Sequence, residues 1–94
     1  MFIAASKWTF ARDVSDDEAK ALVGQLQATI QSQPGFQHYY AVRLDAKTAL
    51  AMHFWDTREH ADTALQAIGP KAQEVLGALI AGIDRMNGEV VQQF

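Results

Sequence analysis

The chain has 94 residues, of which 49% are hydrophobic and 20% charged, and its formal net charge is −3. This length fits a single domain spanning residues 1–94, and the composition is too apolar for a disordered chain. The acidic balance disfavours nucleic acid as a partner, and the absence of cysteine excludes disulfides and thiol catalysis. No apolar run approaches the ~20 residues of a membrane span, and the N-terminus lacks a signal-peptide pattern, so we expect a cytoplasmic protein.

The first third of the chain predicts a strand followed by a helix. Phe2–Phe10 is short, apolar and ends in aromatic residues, which is typical of a strand. Ser15 and Glu18 have the spacing of a capping box, in which each side chain bonds the other residue's backbone amide. The apolar periodicity that follows predicts an amphipathic helix of about five turns. Pro34-Gly35 ends this helix.

The middle of the chain predicts a hairpin. Phe36–Leu44 and Ala49–Trp55 have the composition of strands, and the connection at residues 45–47 is short enough for a tight turn. Asp56 or Thr57 is positioned to cap the helix that follows.

The last third predicts a broken helix and a final strand. The helix is expected to stop just before Gly69-Pro70, and a second helical stretch to continue as far as Ile83. Met86–Gln92 would form the last strand, with a bulge at Gly88. The resulting order, β-α-β-β-α-β, indicates a ferredoxin-like α+β fold with a four-stranded antiparallel sheet and its helices on one face.

Both faces of this sheet are expected to be apolar. In the third strand the residues alternate between two sets, Leu50, Met52 and Phe54 on one side and Ala49, Ala51, His53 and Trp55 on the other. Helices can cover one face, but the second also needs cover, because exposed apolar patches of this size usually mark interfaces. We therefore expect a homodimer through sheet-to-sheet packing. The alternative is a monomer with scattered exposed aromatic side chains.

Three segments carry a family pattern. PGFQHYY (residues 34–40) resembles the run that opens the second strand of the antibiotic biosynthesis monooxygenase-like proteins, which are dimeric α+β barrels. MHFWDTREHA (residues 52–61) resembles their third strand passing into a helix, and GEVV (residues 88–91) is similar to their closing strand. The resemblance spans nearly the whole chain. It implies a dimer whose sheets close into a barrel, with a pocket between helices and sheet in each subunit.

The resemblance also implies a range of activities. Members of the family oxygenate polycyclic phenols or quinols without metal or flavin, or degrade haem oxidatively, and others look like small-molecule-binding or interaction modules. Fold alone does not choose among these activities.

Oxygenation without a cofactor requires an apolar slot, a base and one or two hydrogen-bond donors. His53 is the candidate catalytic base, because it lies mid-strand beside two small alanines and an unperturbed imidazole titrates near ~6.5. The competing interpretation is a structural histidine that is hydrogen-bonded in the core or in the barrel.

The candidate substrate-binding residues are aromatic or basic: Trp55, Trp8, His38, Tyr40 and Lys7. Either tryptophan could wall an aromatic slot or simply pack in the core or the dimer. Tyr39 and Tyr40 are neighbours and face opposite ways, so at most one of them lines a given pocket. Lys7 could pair with an anionic substrate, or it could be an exposed edge lysine.

Neither a metal nor a cofactor is expected. A metal site would need His38, His53 and His60 to converge from separate elements. The haem-degrading pattern implies an asparagine late in the first strand, where this chain has Lys7, and a tryptophan and a histidine between Ala61 and the C-terminus, where it has neither.

The sequence thus favours a cofactor-independent monooxygenase acting on a small aromatic, quinol- or anthrone-like, substrate in a cleft between helices and sheet. The alternative function is a non-catalytic module of the same fold that binds a small molecule or a partner.

Overall fold

The computed structural model describes all 94 residues and contains four strands and three helices. In chain order they are β1 (Phe2–Phe10), α1 (Asp16–Gly24), α2 (Gln27–Gln31), β2 (Phe36–Asp45), β3 (Thr48–Trp55), α3 (Arg58–Leu76) and β4 (Ile80–Glu89). The strands form one antiparallel sheet in the order β2-β3-β1-β4. The predicted ferredoxin-like α+β fold is therefore confirmed.

The first helical region is divided, and the prediction of one five-turn helix is wrong. Ser15 caps α1 as expected, and its hydroxyl accepts a hydrogen bond from the Glu18 amide at 3.1 Å. After Gly24 the backbone tightens into a turn, in which the Leu26 amide donates to the Val23 carbonyl at 2.9 Å. Glycine is a weak helix former, so this turn costs little there. Because the turn redirects the chain, Leu26 and Ile30 both reach the core.

The third helix runs without interruption through Gly69 and Pro70, contrary to the prediction. Proline lacks the amide that would bond the Gln66 carbonyl, and its ring crowds the residue before it. Here that residue is a glycine, which has no side chain to clash. Gln66, Gly69 and Pro70 are all exposed to solvent, so water can satisfy the free Gln66 carbonyl. Thr57, one of the two predicted caps, accepts a hydrogen bond from the His60 amide at 3.1 Å.

The last strand begins earlier than expected. α3 ends at Leu76, so Ile80 and Ile83 belong to β4 rather than to a second helical stretch. β4 pairs with β1 along nearly its whole length. The register irregularity lies at Thr9/Phe10 of β1, and the predicted bulge at Gly88 is absent.

The core lies between the helices and one face of the sheet. Trp55 is fully buried at its centre, and its ring packs edge-on against Phe36 with 5.6 Å between ring centroids. The buried cluster comprises Phe2, Ala4, Leu26, Ile30, Trp55, Ala61, Ala64, Ile68 and Leu76.

The turn before β2 depends on Gly35. Its φ of +82° is strained for any residue with a side chain, and a Cβ there would overlap the side chains of Asp56 and His60. Those two side chains hydrogen-bond each other at 2.7 Å, and the Asp56 amide donates to the Gly35 carbonyl at 3.0 Å. The start of β2 is thereby fixed to the junction of β3 and α3.

The opposite face of the sheet carries no helix and is apolar, as the strand alternation predicted. His38, Tyr40 and Phe54 form an aromatic cluster there, with ring centroids 5.7–6.4 Å apart. Tyr40 is 54% exposed and Met86 52% exposed. We call this surface the open face. None of the helices combines the length and apolar character needed to cross a bilayer.

Candidate functional site

A cleft of about 90 Å³ lies between α3 and strands β1, β3 and β4. We call it the His53 cleft. Small residues of α3 and its C-terminal end, Gly69, Ala72 and Gly77, leave the space. The remaining lining residues are Ser6, Trp8, His53, Leu65, Ile68, Gln73, Ile80, Ile83 and Arg85.

His53 lies on the helix-covered side of β3, and not on the open face. Its ring packs edge-on against Tyr39, with 4.9 Å between centroids, and stacks on Trp55 at 6.3 Å. Its Nδ1 is buried and has no hydrogen-bond partner. Burial lowers the pKa of His53 to about 4, because a charged ring loses its hydration there. At neutral pH the imidazole is therefore uncharged and can accept a proton.

Two further nitrogens on this side of the sheet are buried without partners, the indole Nε1 of Trp8 and that of Trp55. Buried polar atoms are nearly always hydrogen-bonded, so three unpartnered nitrogens on one side of the sheet are unusual. Trp8 lines the cleft as predicted. Trp55 is completely buried and its ring stacks on that of His53, but it does not line the cleft as predicted.

The cleft also contains polar residues that were not predicted from the sequence. Arg85 and Ser6 pair in register between β4 and β1, and both line the cleft. No carboxylate lies within ion-pair distance of Arg85, so its guanidinium is available to an anion. Gln73 of α3 contributes an amide. The predicted last strand began at Met86, whereas β4 begins at Ile80, so Arg85 was not recognised as a strand residue.

Three predicted substrate-binding residues do not reach the cleft. His38 and Tyr40 lie in the aromatic cluster of the open face, and Lys7 alternates with the cleft residues Ser6 and Trp8 and is exposed. His38 and Tyr40 do lie on one surface, but the register pairs them with Phe54 and Met52, so the structure places them on the open face and not with His53.

Tyr39 takes the place expected of Tyr40. The β2–β3 pairing sets Tyr39 directly opposite His53, and its ring is packed under the helices. Burial raises the pKa of Tyr39 to about 12, so its phenol stays protonated at neutral pH.

The histidines do not gather into a metal site. No cluster of three or more histidine, aspartate or glutamate side chains is present that could hold a metal ion. His60 instead bonds Asp56 and packs over Gly35. The hydrogen bond from His60 holds the pKa of Asp56 below its usual range.

No family model and no curated protein matches the sequence. Solved structures do match. SnoaB, a cofactor-independent oxygenase from Streptomyces nogalater, superposes with a TM-score of 0.81 at 17% identity, over 98% of this chain and 94% of that one. A candidate antibiotic biosynthesis monooxygenase from Bordetella bronchiseptica gives a TM-score of 0.76 at 15% identity, over 97% of both chains.

A third match is NE2512 from Nitrosomonas europaea, a protein of unknown function, with a TM-score of 0.78 at 8% identity over 99% of this chain and 91% of that chain. At such identities the likeness concerns the fold. The chain has the ferredoxin-like fold of the antibiotic biosynthesis monooxygenase-like proteins.

Proposed function

We propose that the protein is a cofactor-independent monooxygenase of a small quinol- or anthrone-like aromatic, and that His53 is its base. The observation that carries this proposal is an uncharged histidine without a hydrogen-bond partner for Nδ1, in a cleft that is also lined by an arginine without an ion-pair partner. A structural histidine would have a hydrogen-bond partner for its buried Nδ1. The likeness to SnoaB, described as a cofactor-independent oxygenase, adds support from the fold.

The proposed chemistry uses electrons from the substrate. His53 removes an acidic proton from the substrate, and the resulting anion passes one electron to O₂. The substrate radical and superoxide combine into a peroxide, which takes back the proton from His53. Loss of water from the hydroperoxide leaves a new carbonyl, so that a CH₂ group and O₂ yield C=O and H₂O. No external reductant is needed.

A histidine with a low pKa is a weak base, so the anion must be stabilised as it forms. Arg85 supplies a positive charge at the cleft, and Trp8 supplies an indole N–H without a partner. The Trp8 Nε1 atom is buried, and a donor acts strongly where water is excluded; Arg85 is exposed and contributes its charge from the edge of the cleft. An anion bound beside His53 also favours the imidazolium, because opposite charges raise the pKa of a neighbouring histidine. His53 would therefore act as a base only when substrate is bound.

The test compares O₂-dependent turnover of hydroquinone, 1,4-dihydroxynaphthalene and anthrone by wild type and by His53→Ala. We expect product only under air and a loss of at least about a hundredfold in the variant. Equal rates in the two proteins would exclude His53 as the base. Binding of all three compounds with no turnover in wild type would instead favour the non-catalytic binding module.

We also propose that a second copy of the chain covers the open face. A two-fold axis places identical surfaces against each other, so one apolar face suffices for both partners. Tyr40 and Met86 lie on this face and are both more than half exposed. Tyr40→Lys combined with Met86→Lys should convert a dimer into single protomers in analytical ultracentrifugation at micromolar concentration. Thr63→Lys combined with Gln66→Lys, at two exposed positions of α3, is the charge-matched control. A wild type that sediments as a single protomer would refute the proposal.

A further inference from the structure

Two larger cavities on the helix side of the sheet are not lined by His53. Two cavities of about 340 and 390 Å³ lie between the first two helices and β2, and both are lined by Val23 and Gln27. We call the space that they share the β2 groove. The His53 cleft, at about 90 Å³, is smaller than either of these cavities. Typical small-molecule sites span ~300–1,000 Å³, a range that the cavities of the β2 groove reach.

The side chain of Tyr39 is in contact with both the groove and His53. Tyr39 lines the β2 groove, and its ring packs edge-on against His53 with 4.9 Å between centroids. Its hydroxyl forms no hydrogen bond within the protein, so nothing polar fixes the ring in this position. β2 is also an edge strand with only β3 as a neighbour.

The groove beside Tyr39 is suited to a neutral, flat molecule. Apolar contacts come from Val23, Ile30 and Phe36. The amides of Gln27, Gln31 and Gln37 lie along the same groove, and an amide can both donate and accept hydrogen bonds. His38 also lines this part of the groove, whereas no carboxylate, lysine or arginine does.

We propose that Tyr39 is a specificity-determining residue: its ring lies between the β2 groove and the ring of His53, and so it favours single-ring over fused-ring aromatics in binding beside His53 without excluding the larger ones. Without the ring, a neutral fused-ring molecule could lie along the groove and contact His53. The inference rests on the proposed function only for the class of ligand, since it concerns binding and not turnover.

The experiment measures binding of hydroquinone and of anthrone under nitrogen, by quenching of the fluorescence of Trp8 and Trp55. Tyr39→Ala should tighten anthrone binding relative to hydroquinone by at least about tenfold, which corresponds to about 1.4 kcal/mol. Tyr39→Phe keeps the ring and should retain the wild-type preference. Val23→Phe added to Tyr39→Ala should refill the groove and abolish the gain without adding a tryptophan.

Tyr39→Leu, which preserves more of the packing, provides a second test if Tyr39→Ala does not fold. An unchanged preference in the folded variant would overturn the inference, as would a gain in Tyr39→Phe equal to that in Tyr39→Ala. Because only binding is measured, an absence of turnover would refute the proposed oxygenase without affecting this result.

Discussion

Replacing His53 by phenylalanine should abolish activity and yet stabilise the protein. The buried Nδ1 has no partner, and such an atom costs about 1–3 kcal/mol of folding free energy. A phenyl ring keeps the contacts with Tyr39 and Trp55, and its extra volume can enter the cleft. We expect a net gain of about 1–2 kcal/mol, or roughly 4–16 °C in Tm for a domain of this size. Turnover should fall by at least about a hundredfold.

The assay combines thermal unfolding, followed by circular dichroism at pH 7 and one protein concentration, with the oxygen-dependent rate. His53→Ala is the matched variant, since it removes the same base but leaves a cavity and should destabilise the protein by about 2–3 kcal/mol. Both variants should lose activity, while their stabilities change in opposite directions. A fall in Tm for His53→Phe would contradict a destabilising Nδ1, because it would show that the imidazole contributes to folding.

Three further predictions follow from the same geometry. The pKa of His53 in the folded protein, about 4, lies below the ordinary 6.5, so between these pH values only the unfolded chain binds a proton. The free energy of unfolding should therefore fall by about 3 kcal/mol as the pH drops from 6.5 to 4. Denaturant titrations should show a smaller dependence of stability on pH for His53→Phe. Arg85→Gln should reduce kcat by about tenfold or more with unchanged Tm, whereas unchanged kcat would exclude a role for this charge. Gly35→Ala should lower stability by at least about 2 kcal/mol, from the positive φ and the overlap with Asp56 and His60; a loss below 0.5 kcal/mol, measured by urea unfolding, would show that the turn is not constrained.

Strand alternation explains what the sequence could predict about the site. In β3 the period of two separates His53 and Trp55 from Phe54, and the structure keeps this division. The sequence could not tell which face of β2 accompanies them. That choice depends on the hairpin register and on the irregularity between Phe36 and His38, which bring Tyr39 rather than Tyr40 opposite His53.

The last third of the chain shows where local patterns are ambiguous. Ile80 and Ile83 continue the helical spacing of the preceding segment, but they belong to β4, because pairing with β1 outweighs local periodicity. The same error concealed Arg85, whose position on the cleft exists only once β4 is in place. Pro70 indicated a helix break, but α3 tolerates it because the preceding residue is Gly69 and both residues are exposed to solvent.

The protonation of His53 with and without a bound phenol can be measured by ¹⁵N NMR of the histidine rings in wild type and His53→Phe. We expect a neutral ring that titrates near pH 4 in the free protein, and a pKa that rises when a redox-inert phenol such as 4-cyanophenol binds. A ring that titrates near 6.5 in the free protein, or one that does not respond to the bound phenol, would contradict this expectation.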